Sequence, residues 1–352
     1  MGRLEEYMKK AVERKASDIH FAPGCPAMFR IDGEMIPESD FVLQPEIIDE
    51  MLLPILDESQ RETLEKLGEV DFAKSIAGFS RVRFNVFKQR NTNAAALRIL
   101  ASSIPDPHSL GIPEAVINLT KLKRGIVLVT GPTGSGKSTT LAALLHIIAT
   151  TYRKNIITLE DPIEYLHEHD LSMVTQREIG YDSMSYAAAL RAALREDPDV
   201  ILVGEMRDLE TIDIALTAAE TGHLVFSTLH TNNAAATIDR IIDVFPPHQQ
   251  SQVKAQLSGA IEGVIAQQLM PRAHGGRVAA IEVMLATPAI RNLIREGKSF
   301  QIPSTIQTNK KMGMTTMDDA IYSLYEAGTI TAETAVAYAI DNNAMQQRVY
   351  LY

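Results

Sequence analysis

The sequence predicts an α/β protein in two parts: a small α+β region, then a larger and largely parallel sheet flanked by helices. Three observations carry this reading. A Pro- and Gly-dense break, IPDPHSLGIPE at residues 104–114, interrupts both helical and strand periodicity. Beyond it, short apolar runs alternate with helical stretches, as in strand–helix–strand units that build a parallel sheet. The first such run leads into Gly131-Pro132-Thr133-Gly134-Ser135-Gly136-Lys137-Ser138, a full match to G-x-x-x-x-G-K-[ST]. Its context is the strand–loop–helix that the motif requires.

Taken in order, residues 4–15 read as an amphipathic helix and SDIHF as a strand. AMFRIDGEMI alternates around Asp32-Gly33, a hairpin signal. Residues 46–56 and 58–67 read as helices. VDFAKSI, FSRVRFNVF and AAALRIL read as three strands, the first two joined by an Ala77-Gly78 turn. Alternation along FSRVRFNVF puts Phe79, Arg81, Arg83, Asn85 and Phe87 on one face. The first domain is therefore residues 1–103, with a linker over 104–115. Within residues 116–352, GIVLVT, NIITLE, PDVILVGE, HLVFSTL and RVAAIEVML read as strands, and from about residue 287 the pattern is helical only.

The 352 residues are enough for two domains or one large one, with an ample core. A net charge of −10 argues against a nucleic-acid groove, so no nucleic-acid partner is expected. The single cysteine, Cys25, excludes intrachain disulfides and a Cys₄ zinc module. The opening MGRLEEYMKK is charged and does not read as a signal peptide, and no apolar run approaches the roughly 18 residues of a spanning helix. The expectation is a cytoplasmic chain whose membrane contact goes through a partner.

Triphosphate chemistry explains the glycine-rich loop. Gly131, Gly134 and Gly136 let the backbone turn its N–H groups toward phosphate oxygens, and the following helix adds its positive end. Lys137 supplies a charge for the β- and γ-phosphates, and the Ser138 hydroxyl is a Mg²⁺ ligand. The nucleotide-binding set is Gly131, Pro132, Thr133, Gly134, Ser135, Gly136, Lys137, Ser138 and Thr139, with ATP and Mg²⁺ as the expected ligands.

Hydrolysis needs acids at neighbouring strand ends. Glu205 closes PDVILVGE, where a carboxylate holds Mg²⁺, partly through water. NIITLEDPIEY supplies Glu160, Asp161 and Glu164, of which Glu164 is expected to orient or deprotonate the attacking water. The plainer reading makes some of these acids solvated loop charges or helix caps. His223 and His230 flank the HLVFSTL strand, and Ser227 to His230 are placed to sense the γ-phosphate; either histidine can instead be structural. Arg81, Arg83 and Arg98 read as a solvated sheet face, or as arginine fingers that a neighbouring subunit offers in an oligomeric ring.

Together these segments resemble the secretion ATPase superfamily of RecA-like motors, which covers type II secretion and type IV pilus ATPases. The phosphate loop, LEDPIEY, VGEMRD and TGHLVFSTLHTN stand in family order and spacing. SDIHF…GCPAMFRIDGEM is similar to the opening of the family's PAS-like domain, and RVRFNVF…ALRI to its arginine-bearing strands. AIRNLIREGK followed by QIPSTIQTNKKMGMTTMDDAI is similar to the signature of the pilus retraction branch. The absence of a tetracysteine segment points away from extension and type II secretion ATPases.

The resemblance implies a RecA-like P-loop NTPase core with a smaller α+β PAS-like N-terminal domain and helical C-terminal elements. It implies a homohexamer in which Glu164 is catalytic, Glu205 is the Walker B acid, and His223 and His230 are the His-box pair. Arg83 and Arg98 match the trans-acting arginines. The activity implied is ATP hydrolysis powering pilus retraction and twitching motility, at the inner membrane against a PilC-like platform protein, with the 104–114 segment as hinge. In AIRNLIREGK, Ile290, Leu293 and Ile294 are expected to pack while Arg291, Arg295 and Lys298 face a partner or the ring pore. Alternatives within the class are an accessory retraction ATPase, an extension motor or a type II secretion ATPase. Outside it stand a DNA translocase, which the acidic balance disfavours, and a nucleotide-gated scaffold with negligible turnover.

Overall fold

The computed structural model describes residues 2–31, 33–76, 81–100 and 103–350. Asp32 of the expected hairpin turn, the Ala77-Gly78 turn and Phe79 lie outside the described residues. Two compact units emerge, Met1–Ser103 with Pro162–Tyr165, and Ile104–Asp161 with Leu166–Tyr352.

The first unit opens with α1 (Arg3–Glu13), which buries Leu4, Tyr7, Met8 and Ala11 at helical spacing. Strands β1 (Asp18–Phe21), β2 (Met28–Ile31) and β3 (Glu34–Pro37) follow, then helices α2 (Pro45–Leu52) and α3 (Glu58–Leu67). An Asp57/Gln60 capping box starts α3 and left-handed Gly68 ends it. Strands β4 (Glu69–Ser75), β5 (Arg81–Gln89) and β6 (Thr92–Ile99) complete an antiparallel sheet in the order β3-β2-β1-β6-β5-β4. Its inner face carries Ile19, Phe29, Phe84 and Leu97 against Met8, Ile48 and Leu52 of the helices. Along β5, Val82, Phe84 and Val86 are buried while Arg81, Arg83, Asn85 and Phe87 line the other face, as the alternation predicts.

The second unit runs α4 (Glu114–Ile117), β7 (Gly125–Thr130), α5 (Lys137–Thr151), β8 (Asn155–Glu160), β9 (Met173–Glu178), α6 (Tyr186–Ala193) and β10 (Val200–Val203). It continues with α7 (Leu209–Glu220), β11 (Leu224–Leu229), α8 (Ala234–Asp243), α9 (Pro247–Ala260), β12 (Ile261–Pro271) and β13 (Arg277–Leu285). Helices α10 (Pro288–Glu296), α11 (Ile302–Thr308), α12 (Met317–Glu326), α13 (Ala332–Tyr338) and α14 (Asn342–Tyr350) close the chain. The strand order is β13-β12-β7-β11-β10-β8-β9, parallel throughout except for the antiparallel β12–β13 pair. β7, β10 and β11 are buried along their whole length, which is why they read as unbroken apolar runs.

The segment expected as linker and hinge groups with this unit. Ile112 is buried, and Ile104 and Leu110 pack on the same apolar cluster as β7 and α5. Isoleucine and leucine set between the prolines give the segment an apolar side, so it lies down on the core. Among the described residues, no helix is long and apolar enough to cross a membrane.

Candidate nucleotide-binding site

The phosphate loop joins the buried end of β7 to the start of α5. Gly131, Gly134 and Gly136 have φ of 143°, 79° and 93°, the region that favours glycine. A Cβ on Gly131 would lie 2.2 Å from the Gln267 carbonyl oxygen and 2.6 Å from Ser135 Oγ; on Gly136 it would lie 2.8 Å from Gln267 Nε2. Gln267 therefore moulds the loop from behind, and its Oε1 accepts a 2.8 Å hydrogen bond from Thr140 Oγ1 on α5. The sequence reading assigned Gln267 no role, because without β12 recognised nothing put this residue beside the loop.

Left-handed Gly136 is the N-cap of α5 and offers no side-chain cap, so the first turn presents its N–H groups and dipole to the loop. Buried Ser135 Oγ and Thr130 Oγ1 have no hydrogen-bond partner. Lys137 Nζ donates to the carbonyls of Gly131 (2.8 Å) and Pro132 (3.0 Å). Pro132, Thr133, Gly134 and Ser138 are exposed around this cradle, with Thr139 beside them. A cradle that no Cβ can enter, an uncapped helix end, orphaned hydroxyls and an ammonium fit a polyphosphate chain.

Parallel register brings other expected residues to the same edge. Val203 lies opposite Leu159 and Ser227, and Leu229 opposite Thr130, so the segments after β8, β10, β11 and β7 share one side. The Glu205 carboxylate accepts from Arg207 Nη2 at 2.7 Å, and His230 Nε2 lies 3.2 Å from it. Burial alone would raise the Glu205 pKa, but the bond and charge of Arg207, aided by His230, hold it below the usual carboxylate range. Arg207, inside VGEMRD yet unremarked in the sequence, is thus part of the site. Ser227 Oγ donates to Val203 O (2.7 Å) and Thr228 Oγ1 to Gly204 O (2.6 Å), stitching the Glu205 turn to β11. Gly204 is glycine for want of room, since a Cβ there would lie 2.9 Å from Tyr186 Oη and 3.0 Å from Leu159 O. Burial, then Asp161, Glu205 and Glu160, push the Tyr186 phenol up, so it stays protonated.

His223 does not join this group. It precedes β11, its carbonyl accepts from Gly125 N at 3.0 Å at the opposite end of the sheet, and its Nδ1 lies 3.0 Å from Ala218 O of α7. The whole of β11 separates it from His230, about 20 Å at ~3.3 Å per residue. The expectation of a catalytic His223 is corrected: it finishes the end of α7.

Glu164, Arg81, Arg83 and Arg98 belong to the first unit. Glu164 is half-buried in the 162–165 segment, whose Ile163 carbonyl accepts from Arg81 Nε at 2.8 Å. Arg83 and Arg98 face each other across β5 and β6. Arg83 makes a forked pair with Asp71 (Nε to Oδ1 3.0 Å, Nη2 to Oδ2 2.6 Å), and Arg98 Nε donates to Asp18 Oδ1 at 2.9 Å. In α10, Ile290 and Ile294 are fully buried and Leu293 packs beside them, as expected. Arg291 differs from expectation. It donates to the carbonyls of Ser258 (3.0 Å) and Gly259 (2.9 Å) and to Glu262 (2.8 Å), closing the end of α9 and not facing outward. Arg295 is exposed, and Lys298 pairs with Glu296.

The family model described as Type II/IV secretion system protein matches residues 2–336. The type IV pilus retraction ATPase PilT of Pseudomonas aeruginosa is 46% identical over 332 residues, covering 94% of this chain and 96% of the relative. The twitching motility protein of Neisseria gonorrhoeae is 45% identical over 326 residues, covering 91% of this chain and 86% of the relative. Among solved structures, the crystal structure of the pilus retraction motor PilT with bound ADP superposes with a TM-score of 0.91 at 50% identity, covering 97% of this chain and 98% of that one.

Proposed function

From a chain that belongs to the Type II/IV secretion system protein family, we propose an ATPase motor that hydrolyses ATP to power type IV pilus retraction. The observation that carries this is the shared sheet edge, where a phosphate cradle moulded by Gln267 adjoins a carboxylate held ionised by Arg207 and His230.

On nucleotide binding, Lys137 exchanges two loop carbonyls for phosphate oxygens while the N–H groups of α5 hold the chain. Ser138 and Glu205 would hold Mg²⁺, Glu205 partly through water, and the ion would supply charge neutralisation for phosphoryl transfer. Glu164 orients and deprotonates the attacking water; its oxygen bonds to the γ-phosphorus as the bond to the ADP oxygen breaks, and the proton passes to the carboxylate. His230, linked to Glu205, reads whether the γ-phosphate is present. We assign Arg83 and Arg98 as cations that one protomer offers to its neighbour's nucleotide in a homohexamer, each exchanging an aspartate for phosphate. Such a ring, peripheral at the inner membrane at the pilus base, would work against a PilC-like platform protein.

Glu164→Gln tests the assignment of the base. Nucleotide affinity should stay within about threefold while phosphate release falls by ~10²-fold or more. Wild-type turnover in that variant would remove Glu164 from the chemistry. Absence of phosphate release from the wild type would leave only a nucleotide-gated scaffold.

A further inference from the structure

Glu282 of β13 is almost fully buried, and each of its oxygens receives the first N–H of a different helix. Oε1 accepts from Ala234 N at 2.7 Å, the first residue of α8; Oε2 accepts from Met317 N at 3.1 Å, the first residue of α12. Both helices already have ordinary N-caps, Asn233 accepting from Ala236 N and Thr316 from Asp319 N. The carboxylate is therefore an additional acceptor common to both. Two helix N-termini favour its charge while burial opposes it; burial prevails, and its pKa is raised.

The two helices belong to different parts of the unit. α8 follows directly on the loop containing His230, which lies 3.2 Å from Glu205. α12 begins the C-terminal layer, where Met317, Ile321, Ala335 and Met345 pack on Ala266, Met270 and Ala280 of β12 and β13. The lead-in to α12 is fixed to β13 as well, through the Val283–Thr315 bridge. A shift of residues 230–233 moves the Ala234 N–H, and Glu282 keeps both bonds only if the start of α12 follows.

We propose that Glu282 is a positioning residue that couples the nucleotide-sensing loop around His230 to the C-terminal helices α12–α14. It deepens, and rests on, the reading of the site as an ATPase whose His230 loop answers to the γ-phosphate. Packing alone could hold the two helices in place. The carboxylate makes them answer to one group, and a buried group with two donors cannot lose one without leaving a costly orphan.

The test uses the full-length protein. In Glu282→Gln the amide nitrogen cannot accept, so one helix start loses its partner while size and shape are kept. The expected result is an ADP affinity within about twofold of wild type, kcat reduced by about tenfold and KM little changed. Hydrogen exchange supplies the second readout. In the wild type, replacing ADP by the non-hydrolysable analogue AMP-PNP should change protection of the Ala234 and Met317 amides together; in E282Q the response at Met317 should disappear. Wild-type kcat with an unchanged Met317 response in E282Q would overturn the proposal. If E282Q does not fold, the wild-type exchange experiment decides, because a change at Ala234 with none at Met317 overturns it equally. A wild type that hydrolyses no ATP sinks the ATPase reading, which the E282Q comparison leaves separate.

Discussion

Glu205 and His230 illustrate how far a local motif specifies a site and where it stops. The carboxylate is ionised because Arg207, two residues on, outweighs its burial, and the histidine meets it because parallel strands end level with one another. His230→Ala should lower kcat about tenfold or more with nucleotide affinity little changed. His223→Ala should leave kcat per folded molecule at the wild-type value and lower only the melting temperature. Steady-state kinetics beside thermal melts separate the two, and a kinetic defect in the His223 variant would contradict the placement seen here. In the sequence the two histidines flank one apolar run, and only the parallel strand order, which puts His230 and the phosphate loop alike after a strand, favours His230 for the phosphate end. The loop glycines, Lys137 and Ser138 were legible because their chemistry lies within eight consecutive residues. Gln267 was not, since it reaches the loop only through strand pairing more than a hundred positions away.

Burial made several elements legible. β7, β10 and β11 read as apolar runs, and α1 as a helix with one buried side, because those patterns are what burial imposes. β9 was missed because MVTQRE is an edge strand with polar positions, and β12 because Glu262, Gly263, Gln267 and Gln268 interrupt the apolar run of IEGVIAQQLMP. In the N-terminal sheet, the row across β1 and β6 sets Asp18 directly opposite Arg98. Burial would raise the Asp18 pKa, but bonds from Ser17 and Arg98 bring it below the ordinary aspartate value. A depressed folded pKa stabilises above the unfolded value, near about 3.9, and that contribution is lost as pH falls through the folded one. Asp18→Asn should therefore melt lower than wild type at pH 7, by about 1 kcal/mol or less given how exposed Arg98 is, with the gap closing below about pH 4. Melts across pH check this; a gap that widens in acid would refute it.

For the whole molecule, the consequence of the proposed division of labour is that no protomer is complete. Lys137→Ala protomers keep Arg98 but have no cradle cation, and Arg98→Ala protomers have the reverse defect. Mixed before assembly, the two should recover hydrolysis above either parent, because some neighbours then pair an intact cradle with an intact arginine. Phosphate release measured against mixing ratio checks this, and a strictly additive response would place the arginines outside the reaction. The two-part architecture was legible from the break at residues 104–114. What the break did not reveal is that Ile104, Leu110 and Ile112 pack on the second unit, because prolines and glycine signal irregular backbone and say nothing of packing.

The bonds from Lys137 to the carbonyls of Gly131 and Pro132 have a kinetic meaning. An arriving phosphate wins the ammonium from partners it already has, so the gain is the difference between two occupied states. On departure those same oxygens take the ammonium back, and the leaving product strands no buried charge. A switch that must hold its nucleotide for long periods would be poorly served by such a ready substitute; a machine that has to let go many times a second is well served by it.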